Sequence, residues 1–234
     1  MLPPFLRNLL GQFIYTQNTI RYRVEWRRMR EALATIGPVK HLFDGGAGSG
    51  EFARKELAGG WCQQVSALEY EPANFEILQA KLGGRPNVTL KAGSLLEVPF
   101  EDAGFDLVQC TQVLEHIEDH EKAASELIRV LKPGGHALIT VPHPPEPFPN
   151  EGHVREGYTE ADLEGLFAPL GCRRLRTDFF ITRPTLDRML GAEKLPGKGV
   201  YVPVQWIDQE ARTTFEERRA QRPFGILMLF QKQG

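Results

Sequence analysis

The chain has 234 residues, 41% of them apolar and 25% charged, with a formal net charge of −2. That length makes one generous domain, or one domain with additions, with apolar side chains enough for a sizeable core. The near-neutral balance gives no global attraction to nucleic acid or to an anionic membrane, and the scattered Cys62, Cys110 and Cys172 give neither a disulfide framework nor a metal-ligand spacing.

The first fifteen residues are fairly apolar, but Arg7, Asn8 and Gln12 interrupt them and no basic start precedes them. They make a poor signal peptide. No run approaches the ~18 apolar residues of a membrane-spanning helix. A cytoplasmic protein with reduced, buried cysteines is expected. Tyr22, Trp26, Met29, Leu33 and Ile36 then fall at spacings of four and three, which predicts an amphipathic helix closed near Gly37-Pro38. Arg21, Arg23, Arg27, Arg28 and Arg30 surround that stripe and read as a solvated face whose stems cover apolar surface.

From residue 38 the pattern alternates. Strands are predicted at Val39–Asp44, Val65–Glu69, Val88–Ala92, Phe105–Cys110 and His136–Val141, with helices at Gly50–Ala58, from Pro72, and at His120–Leu131, the last broken by Pro133-Gly134-Gly135. Such alternation means βαβ units and a mainly parallel sheet. Pro142–Gly157 carries prolines at 142, 144, 145, 147 and 149 and reads as a stiffened loop. Thr159-Glu-Ala-Asp162 resembles a capping box ahead of a helix burying Leu163, Leu166, Phe167 and Leu170. Strands at Cys172–Ile181 and Phe224–Gln231 flank a stretch of mixed signals, 182–222. The expected organisation is an N-terminal helical segment over 1–37 acting as a lid, followed by one domain over 38–234 with a cap or insertion at about 182–222.

The most informative stretch is Leu42-Phe43-Asp44-Gly45-Gly46-Ala47-Gly48-Ser49-Gly50. It reads as a strand ending in an acid, a tight turn and a helix start. Glycine lets a ligand approach bare main chain, and the helix start offers free N–H groups. No lysine completes a phosphate loop. A dinucleotide fingerprint can be forced onto Gly48, Gly50 and Ala53, but Asp44 would then sit beside a pyrophosphate, which is electrostatically poor. Glu69 ends the next strand, where an acid can accept both hydroxyls of a ribose. Tyr70 follows, placed to lie against an adenine, and Ser94 follows the third strand.

With Phe105-Asp-Leu-Val108, Val113-Leu-Glu-His116 and Leu131-Lys-Pro-Gly-Gly135 in the same order, the sequence resembles the class I S-adenosylmethionine-dependent methyltransferases over roughly residues 38–180. The resemblance implies a Rossmann-like, doubly wound, mainly parallel seven-stranded sheet with an antiparallel last strand and helices on both faces. It implies S-adenosylmethionine as cofactor, held by Asp44, Gly45, Gly46, Gly48, Gly50, Glu69, Tyr70, Ser94, Leu95, Thr111 and Gln112. The family usually has Asp where Ser94 stands; the shorter, neutral serine, or a backbone group at Leu95, takes its place at a loss of ~1 kcal/mol.

Val113-Leu-Glu-His116, and His153 followed by Tyr158-Thr159, look like the branch that methylates small molecules. The resemblance thus implies in-line methyl transfer to O, N or C of a small-molecule methyl acceptor or glycan-type metabolite, rather than of nucleic acid. Oligomeric state is left open, a homodimer being compatible with the sequence. His116, His153 and His143 are the candidate bases, with Glu115 and Tyr158 behind them; no metal is expected. Methylation of RNA or protein aided by the arginine-rich helix, and cofactor binding without catalysis, stand as alternatives.

Overall fold

The computed structural model describes residues 14–15, 17–145, 152–191, 194–195, 199–201 and 204–234. Of the sequence readings above, those on residues 1–13 of the lid, on Pro147 and Pro149, and on Pro196, Gly197 and Pro203 lie outside the described residues.

Seven strands form the central sheet: β1 (Val39–Gly45), β2 (Cys62–Glu69), β3 (Val88–Ala92), β4 (Phe105–Thr111), β5 (Leu131–Pro142), β6 (Cys172–Phe180) and β7 (Gly225–Lys232). Their spatial order is β3-β2-β1-β4-β5-β7-β6. The first five are parallel, and β7 runs antiparallel between β5 and β6. Helices α1 (Gln17–Leu33), α2 (Glu51–Ala58), α3 (Pro72–Leu82), α4 (His120–Val130), α5 (Glu160–Phe167), α6 (Arg183–Gly191), α7 (Val204–Arg212) and α8 (Phe215–Ala220) surround it. Short antiparallel pairings join Ile14–Tyr15, Gly199–Tyr201 and Lys194–Leu195.

The period-two geometry of a strand explains why the sheet is apolar on both faces. Phe43, Val108, Ile139 and Met228 point into one core with Leu127 of α4 and Leu163 and Phe167 of α5. Their chain neighbours Leu42, Leu107, Leu138 and Leu227 point into the other, with Met29 of α1, Phe52 of α2 and Leu78 of α3. The Thr159–Asp162 capping box forms in both directions. All three cysteines are free and buried.

Two sequence expectations shift. No loop separates α4 from the next strand: Leu131 is already extended and pairs with Phe105, so Lys132–Gly135 belong to β5. The arginine-rich face is not uniformly solvated. Arg28 is 2% exposed because α7 packs across α1, and its guanidinium donates to the Glu210 carbonyl at 2.9 Å and to Glu31 at 3.0 Å. Among the described residues, no helix is long and apolar enough to cross a membrane.

Candidate active site

The sheet order reverses between β1 and β4, and ligands of open α/β folds bind at the carboxyl ends of the strands on either side of such a switch. Pairing brings those ends level, with Asp44 opposite Gln109 of β4 and Ala67 of β2, and Glu69 opposite Ala92 of β3. A cleft of about 750 Å³ opens there. Gly46, Ala47 and Gly48 form one wall, Glu69 and Tyr70 another, Ser94 and Leu95 a third, and Thr111 and Gln112 the floor toward His116.

The glycines of the turn have different tasks. Gly48 has a φ of +55° and nothing within 4 Å of where a Cβ would stand, so bare main chain faces open space. Gly50 has a φ of +71°, and a Cβ there would lie 2.5 Å from Leu78 Cδ1. It joins the turn to α2 and packs on α3; it does not line the cleft. Gln112 also takes a left-handed conformation, φ +56°, at the end of β4, and its N–H donates to the Thr140 carbonyl at 2.7 Å. Backbone held there by its neighbours is a common feature of ligand sites.

Asp44 is 2% exposed, and its Oδ1 has no hydrogen-bond partner. Burial, with the nearby Glu69 charge adding to it, raises its pKa to about 7. Glu56 on α2 lies beneath the same turn, fully buried, with its pKa pushed well up by burial and then by Asp44. Glu69 accepts the Gly48 N–H at 2.6 Å through one carboxylate oxygen and the Glu71 N–H at 2.8 Å through the other. Ser94 Oγ accepts the Leu96 N–H at 3.1 Å. Tyr70 is 75% exposed on the rim. Asp44 and Gly45 directly precede the lining residues Gly46–Gly48 and are not themselves among those that border the cleft.

The three candidate histidines part company. His116 ends a short 3₁₀ turn, Leu114–His116, and lines the cleft. His153 packs edge-on against it with ring centroids 4.6 Å apart. Burial lowers the pKa of His153, and the His116 and Arg21 charges lower it further. His143 lies elsewhere, its ring edge-on against Phe179 at 5.5 Å and its backbone N–H donating to the Phe224 carbonyl. Tyr158 is 2% exposed; its hydroxyl donates to the Leu114 carbonyl at 3.1 Å, and burial raises its pKa. It staples the 3₁₀ turn in place rather than facing the cleft.

Sequence reasoning passed over several lining residues. Glu51 and Phe52 at the start of α2, Asn74, Ile117 and Arg21 all border the cleft. Tyr22 meets Phe52 edge-to-face at 5.2 Å, so α1 closes one side. Only the position of Glu51 and Phe52 directly after the glycine turn carried a signal of this.

A crevice at the switch point, lined by bare main chain and by Glu69, makes this an open α/β fold with a ligand cleft at its strand ends. A protein-family profile described as a methyltransferase domain matches residues 43–139. The demethylmenaquinone methyltransferase of Thermus thermophilus is 34% identical over 143 residues, 60% of this chain and 64% of that one. The enzyme of the same name from Deinococcus radiodurans is 27% identical, over 51% of this chain and 50% of that one. Across the first curated relatives it matches, the chain spans from 33% to 64% of their length. Among solved structures, an S-adenosylmethionine-dependent methyltransferase from Archaeoglobus fulgidus superimposes with a TM-score of 0.64 at 15% identity, covering 88% of this chain and 92% of that one. Another from Mesorhizobium loti gives 0.61 at 19%, covering 86% and 96%. Over residues 43–139 the chain is similar to the methyltransferase domain, and its fold is that of the S-adenosylmethionine-dependent methyltransferases.

Proposed function

We propose that this chain transfers the methyl group of S-adenosylmethionine to a small-molecule acceptor, on O, N or C. One observation carries the reading: a buried carboxylate with an unpartnered oxygen, Asp44, and a second carboxylate, Glu69, stand at adjacent strand ends around the open main chain at Gly48. That donor set fits the cofactor. Asp44 suits its ammonium, Glu69 its ribose hydroxyls, and Ser94 or the Leu95 backbone its adenine. Bound there, S-adenosylmethionine supplies an electrophilic methyl on a positively charged sulfur.

The chain's own groups do the rest. Gly46, Gly48, Thr111 and Gln112 hold the sulfur end in line with the acceptor, and much of the rate comes from that alignment. Arg21 and Tyr22 of α1 border the cleft and exclude water from that side. His116 donates its Nδ1–H to the Gly152 carbonyl at 2.7 Å, which leaves the Nε2 lone pair for the acceptor side. His116 and His153 thus form the acceptor-activating pair. His143, turned toward Phe179, takes no part. The names of the demethylmenaquinone methyltransferases support a small aromatic acceptor, and the burial of Arg28 removes one cation from any nucleic-acid face.

The test is calorimetry with S-adenosylhomocysteine and NADH, followed by turnover of S-adenosylmethionine with a panel of phenols, hydroquinones and amines. Binding of the thioether product and acceptor-dependent release of it are expected. NADH binding without the thioether product would end the reading.

A further inference from the structure

Glu115, His116 and His153 each offer one ligand atom, and those three atoms lie within 4.8 Å of one another. We propose that they form a site for a divalent transition-metal ion of the zinc, cobalt and iron type, at the acceptor end of the cleft. The inference rests on the methyl-transfer reading and gives it a substrate class: acceptors that bind a metal through a hydroxyl oxygen.

The donor set is two imidazoles and one carboxylate, which suits these ions better than magnesium or calcium, whose ligands are mostly oxygens. Three protein ligands leave coordination positions open, as in catalytic rather than structural sites. Glu115 is 1% exposed and offers its carboxylate to the cluster from the buried side. His116 Nε2 stands 3.9 Å from Glu115 Oε1. That separation is somewhat longer than the spacing of two ligands on one ion.

A second observation is independent of the cluster. The His116 Nδ1–H is given to the Gly152 carbonyl. A metal-bound histidine commonly donates its other ring N–H to a backbone carbonyl or carboxylate, which fixes the tautomer and ring direction. The scaffold is also clamped. The Val154 N–H donates to the Glu115 carbonyl at 2.9 Å, and the Arg155 guanidinium donates to the Leu114 and Ile117 carbonyls at 2.7 Å each. Residues 152–155 and the 3₁₀ turn are therefore one rigid piece, although they lie far apart in sequence. Arg21 is the opposing charge nearby, and Glu25 offsets it at 3.8 Å.

An ion held there faces the cleft, because His116 lines it. It would take the acceptor hydroxyl oxygen and favour loss of its proton to solvent. The oxygen lone pair then forms the new O–C bond to the methyl, the S–C bond breaks, and its electron pair stays on sulfur as the neutral thioether. His116 and His153 then act as ligands rather than as free bases.

The experiment titrates Co²⁺ into tag-free, chelator-treated protein and follows the visible absorption of the bound ion, with S-adenosylhomocysteine affinity measured in parallel. One equivalent is expected to bind with a nitrogen–oxygen spectrum. Affinity should fall by at least about tenfold in His153→Ala and in His116→Ala. His153→Ala should keep its affinity for the thioether product, which certifies the fold and the methyl-transfer reading separately. Absence of saturable Co²⁺ binding, or equal binding by His153→Ala, would overturn the metal site while leaving the cofactor site standing. Loss of product binding in the wild-type protein would instead overturn the underlying reading.

Discussion

Glu69 Oε2 accepts the backbone N–H of Gly48 at 2.6 Å, so the end of β2 holds the turn that leaves β1. The carboxylate that would meet a ribose is thus also the one that sets the main chain beside it. Replacing it affects both. Glu69→Ala is expected to weaken S-adenosylhomocysteine binding at least tenfold, since a hydrogen bond to a charged group contributes about 1.5–3 kcal/mol. Hydrogen exchange at Gly48 should quicken in the same variant. Calorimetry and amide exchange check the two parts, and unchanged affinity would remove Glu69 from the cofactor site.

Asp44 gives the site a pH dependence. Its pKa is raised from 3.8 to about 7 by burial and then by Glu69. An acid with a raised native pKa keeps its proton in the folded state after the unfolded chain has lost it. Stability of the ligand-free protein therefore falls as pH rises from about 4 to about 7 on this account. A ligand ammonium favours the ionised form, so binding near neutral pH releases a proton, and affinity rises with pH through about 7. Asp44→Asn should abolish the proton release and the pH slope while leaving the empty protein at least as stable at pH 8 or so. Calorimetry in buffers of different ionisation enthalpy reads the proton directly.

Gly48 and Gly50 should separate binding from stability. Gly50→Ala would drive a Cβ to within 2.5 Å of Leu78 at a φ of +71°. A loss of about 1–3 kcal/mol and a lower melting temperature are expected. Gly48→Ala meets no neighbour, and its backbone strain is about 1–2 kcal/mol at most. Its larger effect should be on cofactor affinity, because the methyl projects into the cleft. Thermal melts beside binding curves would show whether the two variants divide in this way.

Glu210 ties the stretch after β6 to the first helix. Its carboxylate accepts the Thr182 N–H at 3.1 Å and the hydroxyls of Thr182 and Thr185 at 2.7 and 2.6 Å, while its carbonyl accepts from Arg28. Glu210→Ala leaves buried donors without an acceptor, at about 3 kcal/mol in total. Denaturant unfolding should show that loss. A change under about 0.5 kcal/mol, the ordinary effect of a surface substitution, would mean that the contact is incidental.

By itself the sequence determined the alternation of strands and helices, the glycine turn, the carboxylates at two strand ends and the capped helix at Thr159. These are local features: a period of two or 3.6, a positive φ and a capping pair leave their mark within a few neighbouring residues. The strand that begins at Leu131 and the burial of Arg28 escaped it, because β4 pairing and α7 packing decided them. Tertiary structure alone seated His116 against His153 and turned His143 toward Phe179. Contacts between residues dozens of positions apart depend on where the sheet brings loops together, and no short-range pattern in the chain records that.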